Sequence, residues 1–179
     1  MANDKWRSPP QVFDKLHEEF VFLADVACTF ENKLCPIGFT EENDSLAEPW
    51  LGRLKNSYPY IGGNAYAWCN PPYSNPMPWV KKAIEAQSNG LGVVMLLNAD
   101  TSVGWFAEAV KYASEIRFII GDEKPKGGYS SGRLAFLNEL GEPVGGNNKP
   151  QFILVFNPFK IGAQVTSYVK RSYFYDAKI

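Results

Sequence analysis

The chain predicts a single α/β domain built on a mostly parallel β-sheet. Three observations carry that prediction. Val93 to Leu97 is an uninterrupted apolar run of strand length, as expected of a strand covered on both faces. Pro78 to Gln87 and Ser102 to Tyr112 flank it with apolar residues at helical spacing, so strands and helices alternate. The 179 residues, 45% hydrophobic and 15% aromatic, supply one ample core rather than two.

Taken in order, Ser8-Pro9-Pro10 predicts a helix start, with Ser8 as cap and Val12, Phe13, Leu16 and Phe20 on one face. Val21 to Ala24 predicts a short strand ending at Asp25. From Cys28 to Gly63 the chain reads as irregular yet packed, because prolines and glycines interrupt Phe39, Leu46, Trp50 and Leu54. Ala65 to Cys69 predicts a buried strand in which aromatic and small residues alternate. The helix Pro78 to Gln87 turns Val80, Ala83, Ile84 and Gln87 inward and stops near Asn89-Gly90. The next helix, Ser102 to Tyr112, buries Val103, Phe106, Ala109 and Val110, and Ile116 to Ile120 predicts another buried strand. Gly121 to Gly132 reads as a loop, and Leu134 to Leu137 and Phe152 to Phe156 as two further strands. Their connection, Gly141 to Pro150, is too long for a tight hairpin and reads as mobile. The tail from Val165 to Tyr175 is aromatic and of no clear type.

Bulk properties exclude several classes. No apolar run approaches the ~20 residues a membrane span requires, and the amino-terminal residues contain no apolar stretch of the signal-peptide kind. A cytoplasmic protein is expected. Cys28, Cys35 and Cys69 are odd in number and form no Cys-x-x-Cys pair, so packed, reduced thiols are expected rather than disulfides or a metal site. The net charge of −1 leaves nucleic-acid binding undecided. Trp68, Trp79 and Trp105 read as core residues without a chemical role.

One stretch carries chemistry. After the predicted strand come Asn70-Pro71-Pro72-Tyr73. Proline fixes its own φ, lacks an N–H and holds the residue before it extended. The Asn70 amide oxygen and the Pro71 carbonyl are thus rigid acceptors at a strand end, with an aromatic ring just beyond. Two acceptors with no donor between them suit a planar –NH2 group, and Tyr73 can stack on the flat group that bears it. A plain strand-ending turn would use the same residues. No base is required for such an amine, and the chain has only one histidine, His17. Asp25, directly after the first strand, and Asp44 are acidic candidates for a cationic ligand at the carboxyl ends of strands, although turn or capping roles are also common for aspartate.

Asn-Pro-Pro-Tyr resembles the catalytic motif of S-adenosylmethionine-dependent amino methyltransferases. The wider pattern, from Asp4 to Phe159, resembles one family: the small Dam-like DNA N-6-adenine methyltransferases typical of bacteriophages and prophages. Trp6-Arg7-Ser8-Pro9 is similar to the family's Trp-x-Thr-Pro entry segment, with serine for threonine. Phe22 to Ala27 looks like its Phe-x-Leu-Asp-Val-Ala strand end, Asn32 to Cys35 like its Asn-x-Lys-Cys pattern, and Asp44-Ser45-Leu46 with Trp50 like its Asp-x-Leu…Trp segment. Trp68 to Ser74 matches its catalytic core, and Gly132 to Phe136 its Gly-Arg-x-x-Phe element. Lys149-Pro150-Gln151 departs from the family's usual Pro-Ser step, which bears on the target-side loop.

The resemblance implies a Rossmann-like methyltransferase domain over residues 1–179, its mostly parallel sheet carrying a C-terminal antiparallel strand pair. It implies S-adenosylmethionine as cofactor, bound by Trp6, Ser8, Pro9, Asp25, Val26, Ala27, Asp44, Ser45 and Leu46. It implies double-stranded DNA as partner and a flipped adenine as target, with Asn70, Pro71, Pro72 and Tyr73 catalytic and no metal. A phage- or prophage-encoded enzyme would work in the cytoplasm of the bacterial host. Residues 121–150 are the expected reader of DNA, through Lys124, Lys126, Tyr129, Arg133, Asn147 and Lys149. Protein-glutamine methyltransferases carry a similar motif but usually a glycine-rich first motif, absent here. A non-catalytic DNA-binding relative is the other alternative, although the intact motif argues against it. Whether methylation serves restriction-modification or the timing of packaging is not written in the sequence.

Overall fold

The structure, a computed structural model, describes residues 4–175. Residues 1–3 and 176–179, part of the expected 1–179 domain, lie outside the described residues. At its centre is a seven-stranded sheet of order β2-β1-β3-β4-β6-β5-β7. Its strands are β1 (Phe22–Asp25), β2 (Ile37–Gly38), β3 (Tyr66–Cys69), β4 (Gly92–Asn98), β5 (Glu115–Ile120), β6 (Gln151–Phe156) and β7 (Val165–Lys170). Six strands run parallel. β6 alone is reversed and pairs antiparallel with both β4 and β5. The expected mostly parallel α/β sheet with an antiparallel pair is thus present.

The strands bury both faces because their side chains alternate between two apolar layers. Val93, Met95 and Leu97 of β4 and Phe152, Leu154 and Phe156 of β6 point to one layer. Val94, Leu96, Ile153 and Val155 point to the other. The first layer is closed by α2 (Trp50–Ser57) and α3 (Met77–Ser88), with α4 (Gly104–Ala109) packed beside α3. The second is closed by α1 (Pro10–Phe20), the buried Leu134 and Phe136, and the short α5 (Ser172–Tyr175). Burying a Leu- or Phe-sized side chain stabilises by about 1.5–3 kcal/mol each, so the period-two pattern fixes register firmly.

Several expectations need correction. Ser8 does not cap α1: Pro9 occupies the N-cap without a side-chain bond, while Ser8 Oγ accepts from Trp68 Nε1 at 3.2 Å. Val21 is not in a strand. It is the left-handed C-cap of α1 (φ 51°), 60% exposed. The stretch from Cys28 to Gly63 is not irregular throughout, since β2 and α2 form within it. Gly52 and the bracketing Pro49 and Pro59 mask the Trp50–Leu54 spacing that anchors α2. Leu134 to Leu137 is not a strand. Leu137 makes only isolated bridges to Arg7 and Pro143, so β6 finds its partners in β4 and β5. The helix expected over Ser102 to Tyr112 is confined to Gly104–Ala109, and β5 is only partly buried. The aromatic tail resolves into β7 and α5.

Strand order sets the site. From β1 the chain runs out to the edge at β2 and then crosses back to β3 on the other side of β1. Connections diverge there, which opens a crevice at the carboxyl ends of β1 and β3. Asp25 ends β1 and Asn70 follows β3.

Candidate active site

A cleft of about 750 Å³ opens at this divergence, within the size range of small-molecule sites. Asp25 and Ala27, at and after the end of β1, line it together with Asn70 and Pro72, which follow β3. Asp44, Ser45, Leu46, Trp6 and Ser8 also line it. Val26 and Pro9, expected with them, do not line the cleft, and their backbone groups brace residues beside it. The Val26 N–H donates to the Trp68 carbonyl (2.9 Å) and its carbonyl accepts Ser45 Oγ (2.5 Å). The Pro9 carbonyl accepts from Val12 and Phe13 at the head of α1.

Each wall has a local cause. The turn at residues 41–47 closes on Asp44, which takes the left-handed φ of 46° that aspartate tolerates. Its Oδ1 accepts from Ala47 N (3.3 Å). Trp50 Nε1 donates to the Ser45 carbonyl at 2.7 Å and locks that turn onto α2. The amino-terminal strap is tied across the mouth: Arg7 and Leu137 exchange backbone bonds of 2.8 and 3.2 Å, and Trp6 packs on Phe136 (5.6 Å). Asp4 Oδ1 accepts from Ser74 N (2.8 Å), joining the strap to the motif.

The charge of the cleft is lopsided. Asp4, Asp25, Glu31, Glu41, Asp44 and Glu139 line it against Lys5 and Arg7, and Lys5 is already paired with Glu139 at 3.0 Å. A cationic ligand is favoured and a phosphate disfavoured. Asp25 is 4% exposed, and its carboxylate accepts from Leu34 N (3.1 Å) and Ala27 N (3.3 Å). Burial outweighs those two bonds and lifts its pKa to about 6. A positive charge brought alongside would draw it back down. Burial, reinforced by the Asp25 charge, pushes the Cys28 and Cys35 thiols up to about 12, so both stay protonated; all three cysteines are free and buried.

In the motif after β3, Tyr73 Oη donates to Asn70 Oδ1 at 3.0 Å, and the Tyr73 ring stands edge-on to Phe136 (5.9 Å, 90°). Burial, with the neighbouring Cys69, pushes the Tyr73 phenol well above its ordinary value, so it remains a donor. An amide oxygen carries two lone pairs, and one stays open for an incoming amine. The Pro71 carbonyl accepts no hydrogen bond from the described residues. Both acceptors read from the sequence are thus at least partly unspent; Asn70 and Pro72 line the cleft, whereas Pro71 and Tyr73 are not among its lining residues. Histidine plays no part, since His17 Nδ1 accepts from Phe22 N (3.0 Å) away from the cleft.

Residues 121–150 connect β5 to the reversed β6, which puts them at the carboxyl end of the sheet with the cleft. Lys124, Lys126 and Tyr129 sit on a hairpin pinned by the Glu123–Tyr129 bridge, and Tyr129 is 74% exposed. Arg133 and Lys149 are exposed, and the Arg133 carbonyl accepts Arg171 Nε (2.9 Å). None of these residues, nor Asn147, lines the cleft. Asn147 differs from the rest: its amide donates to the Leu134 carbonyl (2.9 Å) and Gln151 Oε1 (3.1 Å) and is spent within the fold.

Sequence reasoning missed Thr29, Glu31, Thr40, Glu41 and Trp79 on the cleft walls. Trp79 belongs to the core, packing on Trp50 at 6.5 Å, yet it also borders Asn70 and Pro72. Its place in the first turns of α3, directly after the motif, was the available signal. Among the described residues no group of three or more His, Cys, Asp or Glu side chains could hold a metal ion.

Comparison with known proteins gives one family. The family model "DNA N-6-adenine-methyltransferase (Dam)" matches residues 1–178. A DNA N-6-adenine-methyltransferase of Escherichia phage T1 is 38% identical over 175 residues, covering 94% of this chain and 69% of the relative. One of Haemophilus phage HP1 is 36% identical over 171 residues, covering 93% and 86%. No solved structure matches the chain.

Proposed function

The chain belongs to the DNA N-6-adenine-methyltransferase (Dam) family, and on that premise we propose that its cleft holds S-adenosylmethionine beside an adenine turned out of a DNA duplex. The carrying observation is that one cleft is lined both by carboxylates, Asp25 after β1 and Asp44 among them, and by Asn70, whose amide oxygen is only partly spent. The carboxylates suit a cofactor with a sulfonium and an ammonium group, and they repel phosphate. The volume accommodates a nucleoside-sized ligand with room for a second flat ring.

Bound there, S-adenosylmethionine supplies an electrophilic methyl group. The chain's residues bind and orient. Asp25 and Asp44 accept from the polar parts of the cofactor, Val26, Ala27, Ser45 and Leu46 shape its bed, and the strap from Trp6 to Pro9 closes over it. Asn70 Oδ1 and the Pro71 carbonyl accept the two N–H bonds of the target amine and favour a more tetrahedral nitrogen. Fixed dipoles there stabilise the positive charge that develops. Tyr73 supports the extruded ring, and Pro72 fixes the strand end. Alignment does most of the work, and no general base is required because the proton can leave after transfer. An adenine inside a duplex cannot reach an enclosed cleft, so the base must flip.

DNA is read from residues 121–150, where Lys124, Lys126, Arg133 and Lys149 can meet phosphate or guanine and Tyr129 can stack. Asn147 supports that loop instead of reading a base. A DNA substrate implies work in the cytoplasm of a bacterial cell. No helix among the described residues is long and apolar enough to cross a membrane.

The test is incubation of the full chain with methyl-tritiated S-adenosylmethionine and unmethylated DNA, followed by nucleoside analysis. Label in N6-methyldeoxyadenosine is the expected result. Label in cytosine or in protein glutamine, or binding of the cofactor without any label in DNA, would overturn the reading.

A further inference from the structure

A second cavity, of about 560 Å³, lies on the far side of the turn that walls the cleft, and Thr40 borders both. It is lined at the sheet edge by Phe30, Lys33, Glu42, Asn43 and, from α2, Arg53. Among the described residues, Arg53 Nη1 is the one buried side-chain nitrogen or oxygen without a hydrogen-bond partner. The guanidinium rests on the face of Phe39 at 4.5 Å and forms no ion pair among the described residues. A buried guanidinium donor is costly to leave unmade, so an arginine held against an aromatic ring with one desolvated N–H is prepared for a ligand that the described residues do not supply.

Its neighbours agree on the sign of that ligand. Asn43 Oδ1 is consumed by Thr40, accepting from its N (2.8 Å) and Oγ1 (3.3 Å), and the Asn43 NH2 group has no partner among the described residues. Lys33 Nζ lies 5.2 Å from the centroid of the Phe30 ring and spends one donor on the Pro36 carbonyl (3.2 Å), keeping two. Phe30 is 74% exposed. Glu42 is the opposing charge, but it is exposed, where solvent and salt screen it. Guanidinium, ammonium and amide donors around one cavity match an oxyanion. The contrast with the carboxylate-lined cleft on the other side of Thr40 is sharp.

We propose that Arg53, Asn43 and Lys33 form a phosphate-binding site separate from the cleft. The nearest source is the DNA backbone beside the flipped base, and that choice of source rests on the proposed function. The site itself does not, because a free phosphate ion presents the same oxygens. Neutralising one phosphate contributes about 0.9 to the slope of log K against log salt.

The experiment has two arms, both on the full chain. In one, binding of a fluorescent duplex is followed by anisotropy across a salt series. In the other, inorganic phosphate is titrated while the amide spectrum is recorded by NMR. Arg53→Gln is expected to lower the salt slope by about 1 and to erase the phosphate-dependent shifts around residues 40–53. Asn43→Asp keeps the acceptor that Thr40 uses and reverses the local charge, so it should do the same with the fold intact. Lys33→Gln, at an exposed position, should weaken both responses without a folding cost. Phosphate shifts in the parent that Arg53→Gln erases, with an unchanged DNA slope, would support the site and assign it to free phosphate. Both variants at Arg53 and Asn43 retaining the parental slope and the parental phosphate response would overturn the proposal. Because the phosphate arm needs no DNA, failure of the DNA reading alone leaves the site testable.

Discussion

Asp25 ties the chemistry of the cleft to pH. Its pKa is raised from 3.8 to about 6, so the folded chain holds this proton more tightly than the unfolded one. The contribution to stability is therefore fully present below about pH 4 and is lost as pH rises through 6. Above that, the ionised carboxylate costs the empty fold up to about 3 kcal/mol, since each tenfold change in proton affinity is worth about 1.36 kcal/mol. A bound cation offsets this cost. Affinity for S-adenosylmethionine should then weaken by up to about tenfold per pH unit below 6, as protonation removes the charge that attracts it. Calorimetric titration from pH 5 to 7.5 measures it, with Asp25→Asn expected to bind weakly and with little pH dependence. A parent enzyme whose affinity is flat across that range would remove Asp25 from the cofactor site. The placement of Asn70, Pro71 and Asp25 at strand ends was legible in the sequence, because their neighbours dictate the backbone there. The Tyr73–Asn70 bond was not, since no spacing rule says where a tyrosine hydroxyl will rest. Nor was the commitment of Asn147 to Leu134 and Gln151, a contact fixed only by the fold.

At the scale of elements, Gln151 holds the target-side segment to the sheet. It is 1% exposed at the start of β6. Its Nε2 donates to Asn98 Oδ1 at the end of β4 (3.1 Å), and its Oε1 accepts from Asn147 Nδ2 (3.1 Å) and Leu134 N (3.4 Å). One amide thus joins β4, β6 and the two ends of the 134–147 connection. Gln151→Leu conserves volume and strands those partners, which should cost about 2–4 kcal/mol, at roughly 1–3 kcal/mol for each buried group left unpaired. Urea unfolding of the variant reads this directly, and a loss under about 0.5 kcal/mol would mean the network is slack. Among the elements, β4 and α3 were legible because their periodicity runs uninterrupted. β2, two residues long, and α2, broken by Gly52, were not. The reading of Leu134 to Leu137 as a strand failed for a related reason. Leu134 and Phe136 alternate as a strand would, but they meet the sheet from above and find no continuous ladder.

Over the whole molecule, function follows from where the connections of the sheet diverge. β1 feeds the edge and β3 turns inward, so two halves of the proposed site, the carboxylate Asp25 and the acceptor Asn70, share one cleft. The sequence carried each half as a motif, and strand order, which no local pattern encodes, brings them together. The two halves are separable in principle. In the proposed function, cofactor contacts come from β1, the turn at residues 41–47 and the strap, whereas the target amine meets Asn70 and Pro71. The most direct measurement is Asn70→Ala, with methyl transfer to DNA and cofactor affinity determined on the same preparation. Transfer is expected to fall by at least about a hundredfold, the scale seen when one preorganised electrostatic partner is removed, while the cofactor dissociation constant stays within about threefold, or ~0.7 kcal/mol. Transfer by the variant equal to that of the parent would contradict the role given to Asn70, and with it the account of the cleft.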